Sequence, residues 1–222
     1  MAGRSHLRIR PARLVWITAA AALIASAAMA MRRPLFVPTQ AGPRFKELTA
    51  GKILVARRQL LDPNFARTVI LLVHHDEEGT AGLIINRQTK VPLSRLSKEM
   101  ESAKGRSDPL YLGGPVEQSG LMALLRSRTK PEDAKPVVAD IYLISVKAAL
   151  EKTMASGVAS SVFRLYLGYA GWDAGQLEWE MGQDAWEILP ANAGIVFDPH
   201  PESLWGRLAE EAEVQVAGLY NH

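Results

Sequence analysis

The chain has 222 residues, 48% of them hydrophobic, enough to bury one sizeable core. It contains no cysteine, which excludes disulfides, thiolate metal sites and cysteine nucleophiles. Of the 26 basic residues six lie in the first 33 positions, where none of the 23 acidic ones falls, leaving 20 against 23, a formal −3, for the remainder. A mildly anionic body lacks the footprint that phosphate backbones demand, so no nucleic-acid partner is expected.

The first 33 residues differ in kind from the rest. Arg4, Arg8, Arg10 and Arg13 precede an uncharged run from Leu14 to Met31 that closes on Ala28-Met29-Ala30 before Arg32-Arg33. A basic head, an apolar middle and an A-x-A ending make a secretory signal. The run is also about 18 residues long, near the lower limit for spanning a bilayer, so an uncleaved anchor through residues 14–31 fits equally. Both readings place the body outside the cytoplasm, at the inner membrane or released after cleavage near Ala30. A misassigned start, with a cytoplasmic body, is the alternative. Residues 34–50 mix Pro, Gly and polar side chains without period and read as a linker, and the domain is expected over 51–222.

Within the domain, "KILVA" from Lys52 reads as a strand. "RTVILLVHH" and "AGLIINR", joined by the polar "DEEGT", read as a hairpin over 67–87. Leu93, Leu96 and Met100 fall on one face of a helix. "DPLYLGGPVEQSG" is a strand entering a Gly-Gly-Pro turn; "LMALLRS" and "VVADIYLIS" are further strands. "VKAALEKTMA" is a short helix with Ala148, Leu150 and Met154 toward the core, and "SVFRLYLGYAG" is a strand. A helix from near Asp173, a strand at "GIVFD" and a helix at "PESLWGRLAEEAE" complete the set. Strands outnumber helices without regular βαβ alternation, which predicts α+β with a mixed sheet.

The stretch "LGYAGWDAGQLEWEM", 167–181, carries three glycines, two tryptophans and three carboxylates around an expected turn. Asp173 with Gln176 three residues on has the pattern of a capping box, and Gly168 and Gly171 would let the chain reverse. A glycine-rich strand-to-helix turn can cradle phosphate. Here no Lys, Ser or Thr occupies the P-loop positions and an aspartate stands at the cap, so a structural hinge is the expected reading.

Few side chains suggest chemistry. "HHDEE" at 74–78 has metal-ligand types, but His74 and His75 alternate across a strand and diverge. Glu178 and Glu180 diverge on a helix, and no nucleophile elbow or H-E-x-x-H occurs. No cofactor, metal or catalytic residue is implied; a metal-dependent or hydrolytic enzyme built on the 74–78 turn is the alternative reading. Trp179, Trp186 and Trp205 read as core aromatics, while Trp172, in the turn, is open to either core or surface.

Taken together, "LGYAGWDAGQLEWEM", "LGGPV" (112–116), "GTAGLIINR" (79–87), "LDPNFARTVILLVHHD" (61–76) and "GIVFDPHPESLWGRL" resemble the YqgE/AlgH family. The likeness runs from about Gly51 to Leu208. It implies an α+β domain whose mixed, largely antiparallel sheet curls into a partly closed barrel with flanking helices. It also implies an unestablished biochemical function, with transcriptional regulation proposed. Members of the family are usually cytoplasmic and lack a leader, which this chain carries. The histidine that often follows the "GGPV" segment is absent, since 124–127 reads "LLRS". The expected function is a non-enzymatic binding or regulatory module. A protein partner would be engaged at Gly113, Gly114, Pro115, Gly168, Tyr169, Gly171, Trp172 and Asp173.

Overall fold

The computed structural model describes residues 47–219. The expected leader at 1–33 and the expected linker up to residue 46 lie outside the described residues, as do residues 220–222. Ten strands form the frame: β1 (Lys52–Ala56), β2 (Val69–Asp76), β3 (Gly79–Ile84), β4 (Gln88–Pro92), β5 (Pro109–Leu112), β6 (Val116–Arg126), β7 (Ala134–Val138), β8 (Ile141–Ile144), β9 (Phe163–Asp173) and β10 (Trp186–Pro190). Helices α1 (Lys147–Ala155), α2 (Gln176–Gly182), α3 (Ala193–Val196) and α4 (Pro201–Leu219) flank them.

The strand order is β10-β1-β2-β3-β9-β6-β8-β7, with β4 paired to β5 and β5 to β9. Every pairing is antiparallel except β5 with β9. The sheet curls until its far strand comes back toward its beginning: a Cβ built on Gly51 would lie 2.9 Å from the Val137 carbonyl oxygen. The result is the expected α+β half-barrel with helices outside.

Alternation explains why the strands read as near-continuous apolar runs. Ile53, Val55, Val69, Leu71, Leu83, Met122, Leu124, Ile141 and Leu143 point inward, where α3 and α4 seal the concavity with Val196, Leu204 and Leu208. The intervening residues of β1–β3 (Leu54, Ile70, Leu72, Ile84) pack outward under α2. Those of β6 and β8 (Ala123, Leu125, Ile144) pack outward under α1. Leu48 is buried in the α2 layer, so domain packing begins before Gly51.

Four local expectations change. The segment after β4 forms two 3₁₀ turns, Leu93–Leu96 and Glu101–Ala103, rather than one helix. The Leu93 and Ser94 N–H groups donate to the Asp108 and Arg106 carbonyls, tying the segment back to the chain ahead of β5. Leu93 and Met100 are buried all the same. "VVADIYLIS" is two strands, β7 and β8, folded at Ala139-Asp140. On α1 the buried alanine is Ala149, and Ala148 is exposed. "GIVFD" is the short helix α3, capped by the Asn192 side chain, which accepts from the Ile195 N–H at 3.0 Å. Among the described residues no helix is long and apolar enough to cross a membrane.

Candidate functional site: a glycine crossover on β9

The expected turn at Gly168–Asp173 is instead strand, because β9 runs unbroken to Asp173. Its second half is held by β3, with Gly79 opposite Asp173, Thr80 opposite Trp172 and Gly82 opposite Ala170. Its first half has β5 on that same edge, with Leu112 opposite Leu167, and β6 on the other edge, with Leu121 opposite Leu167 and Val116 opposite Tyr169. The chain leaving β5 must therefore cross β9 to begin β6, and only Gly113, Gly114 and Pro115 are available to do it.

Backbone lies directly on backbone at the crossing. A Cβ on Gly114 would fall 2.1 Å from the Tyr169 carbonyl carbon, and one on Gly113 would fall 2.2 Å from the Gly168 oxygen. Gly114 has φ +154 and Gly168 has φ +67, both in the left-handed half of backbone space. Gly168 is also a bulge. Before it Tyr166 faces inward, as does Arg164, whose guanidinium lies over the Tyr111 ring; after it Tyr169 does, so the alternation slips by one residue. The outward side of β9 accordingly passes from Phe163 and Leu165 under α1 to Ala170 and Trp172 under α2. The glycines shape backbone here, as the hinge reading expects, but within a strand and at a crossing.

Asp173 ends β9, and the helix cap is Gly175. Half of the expected capping box forms: the Asp173 N–H donates to Gln176 Oε1 at 3.1 Å, while Asp173 Oδ1 is buried without a partner. Tyr169 and Trp172 are 2% and 3% exposed, whereas Trp179 is 66% exposed, which inverts the sequence reading of Trp179 as core. Trp172 packs with Phe65 and Trp186, ring centroids 5.9 and 6.1 Å away. Glu180 Oε2 accepts from both indole N–H groups, at 3.0 Å from Trp172 and 2.9 Å from Trp186.

What remains at the surface of the crossover is its rim. Leu112 is 47% exposed, Pro115 is exposed, and Val91 on the neighbouring β4 is 44% exposed. The backbone beneath Leu112 is pinned. Its N–H donates to Arg87 O at 2.9 Å, the next N–H, of Gly113, donates to Leu167 O at 2.8 Å, and Gly113 O accepts from Ile84 N–H at 2.9 Å. Sequence reasoning found Gly113-Gly114-Pro115 but missed Leu112 and Val91, whose exposure depends on strand pairing.

At the β2–β3 tip the two histidines diverge as alternation requires. His74 Nε2 lies 2.8 Å from Asp76 Oδ2, and His75 Nδ1 lies 2.8 Å from Thr80 Oγ1, with its Nε2 3.9 Å from Glu178. The N–H of Glu78, with His74 beside it, holds the Asp76 carboxyl below its ordinary range. His200, the third histidine among the described residues, lies away from this tip, beside Glu202 at the start of α4. Among the described residues no group of three or more His, Asp or Glu side chains is arranged to hold a metal ion.

Comparison with known proteins extends these observations. A family model described as AlgH-like matches residues 53–217. A UPF0301 protein of Chlorobaculum tepidum is 35% identical over 164 residues, 73% of this chain and 86% of that protein. One from Azoarcus is 40% identical over 153 residues, 67% and 81% of the two chains. Among solved structures, the AlgH protein of Pseudomonas aeruginosa superposes with a TM-score of 0.61, at 32% identity over 72% of this chain and 87% of that one. Protein DIP2367 of Corynebacterium diphtheriae gives 0.62 at 25% identity, covering 73% and 86%. With the family model spanning most of the domain and relatives this similar, the chain belongs to the AlgH-like family.

Proposed function

We propose that this domain is a non-enzymatic binding module, regulatory in role, that engages a protein partner at the rim of the glycine crossover. The observation that carries the reading is Leu112: a large apolar side chain held in water on a backbone hydrogen-bonded from both sides. An anchor whose backbone is already fixed loses little freedom when a partner covers it, and such preorganised apolar residues carry a disproportionate share of interface energy. Gly113, Gly114 and Gly168 act by permitting the crossing, and Tyr169 and Trp172 support it from within. Gly171 and Asp173 complete the strand behind it.

The test is site-specific photo-crosslinking from position 112 in the full chain, with position 130 as a remote control and products identified by mass spectrometry. One defined protein species from position 112, absent from position 130 and lost in Val91→Arg, is expected. Identical products from both positions, or capture undiminished by Val91→Arg in a normally folded protein, would remove the reading.

A further inference from the structure

Away from the crossover rim, the start of β9 carries an arrangement of a different kind. Arg164 is 6% exposed. A guanidinium withdrawn from water needs both its charge and its five N–H groups answered. Nη1 donates to the Val196 carbonyl at 2.9 Å, and Nη2 donates to the Asp198 carbonyl. These are main-chain oxygens, which bring dipoles but no negative charge. The guanidinium carbon lies 4.8 Å from the centre of the Tyr111 ring and 5.8 Å from that of Phe197. Asp198, the acid of this segment, commits its carboxylate to Arg207 and to the His200 N–H, each at 2.8 Å. Among the described residues, no carboxylate forms an ion pair with Arg164.

Arg164 is among the residues lining a cavity of about 340 Å³, toward the small end of ligand sites. Tyr111 and Phe197 supply flat apolar walls, while Gln88, Ser160 and Ser161 supply neutral polar groups. Burial pushes the Tyr111 phenol up, outweighing Arg164, and Glu202 adds to the rise, so the ring stays uncharged. Its hydroxyl donates to Gln88 Oε1 at 3.0 Å.

The geometry points to a binding site for a small monocarboxylate with a flat apolar or aromatic body, its carboxylate on Arg164 and its body against Tyr111 and Phe197. The planar fork of a guanidinium matches a carboxylate, and aromatic walls favour a flat ligand. A phosphate dianion fits less well. Its second charge would have no cation to meet, and Asp108 also lines the cavity, already paired with Arg106 at 2.5 Å.

Calorimetric titration of the full chain with benzoate, benzamide and inorganic phosphate tests the assignment. Benzoate is expected to bind one per chain, with benzamide and phosphate at least roughly tenfold weaker. Arg164→Lys, which keeps the charge but loses the fork, should weaken benzoate by roughly tenfold or more. Ser161→Trp, at an exposed position on the mouth, should block it without disturbing the fold. The assignment is overturned by absent benzoate binding at millimolar concentration, by benzamide or phosphate binding as well as benzoate, or by benzoate binding that survives Ser161→Trp.

Discussion

Glu180 is the residue on which the aromatic cluster under α2 closes. One carboxylate oxygen accepts from two indoles, and the other accepts from Gln176 Nε2 at 3.0 Å. An indole N–H left unanswered in a core costs about 1–3 kcal/mol. Glu180→Leu strands two of them and should destabilise the domain by about 3–5 kcal/mol, whereas Glu180→Gln keeps a carbonyl acceptor and should cost about 1 kcal/mol. Urea unfolding followed by tryptophan fluorescence separates the two by their midpoints. Asp198 makes a prediction in pH. Desolvation acts to raise its carboxyl, but the bonds from Arg207 and the His200 N–H outweigh it and hold the group below its ordinary range. A pKa depressed by folding contributes stability above the unfolded value, near about 4, and that contribution is lost as pH falls through the lower folded value. Asp198→Asn should therefore flatten the acid side of the stability profile, read as melting temperature from about pH 5 downward. A variant whose profile stays as steep as the parent's would show that the pairing does not drive acid unfolding.

At the scale of elements, β9 and the segment crossing it make a graded set of substitutions. Gly114→Ala puts a methyl inside backbone and demands φ +154 of an L-residue, so it should cost at least about 3 kcal/mol. Gly168→Ala would meet two backbone oxygens, 2.6 and 2.7 Å away, and should cost about 2–4 kcal/mol. Gly171→Ala meets only the side chains of Tyr169 and Val116, at 3.1 and 3.4 Å, and should cost about 1 kcal/mol. Chemical denaturation of the three gives the order; a Gly171 variant as damaged as Gly114 would contradict the crossing. The same strand shows what sequence can and cannot reveal. The strands β1, β2 and β3 were legible as short apolar runs because they are buried on both faces. The Gly168 bulge was not, since glycine followed by aromatics also reads as a turn, and pairing with β3 is what keeps 170–173 extended. That pairing buries Trp172, while the single turn between β9 and α2 leaves Trp179 outward. The candidate site was half legible: both glycine segments stand out, but their stacking is a contact between distant parts of the chain.

For the molecule as a whole, the strongest constraint is how charge is sorted along it. Arg4, Arg8, Arg10 and Arg13 precede the uncharged run 14–31, and the chain from residue 34 on carries a formal −3, a distribution that suits a basic head retained on the cytoplasmic side of a membrane. The chain enters the domain at Leu48, in the outer layer beneath α2 rather than inside the curl. A tether there would leave both the Leu112 rim and the Arg164 cavity free, because neither belongs to that layer. We therefore predict that the full chain, expressed in bacterial cells, partitions with the membrane or is exported, and that protease added outside intact spheroplasts digests the domain. N-terminal sequencing then discriminates the two routes: a start at Met31 means cleavage after Ala30, and a start at the chain's own beginning means an anchor through residues 14–31. An undigested chain recovered intact from the soluble cytosol would reject both, and with them any partner confined to the outer compartment.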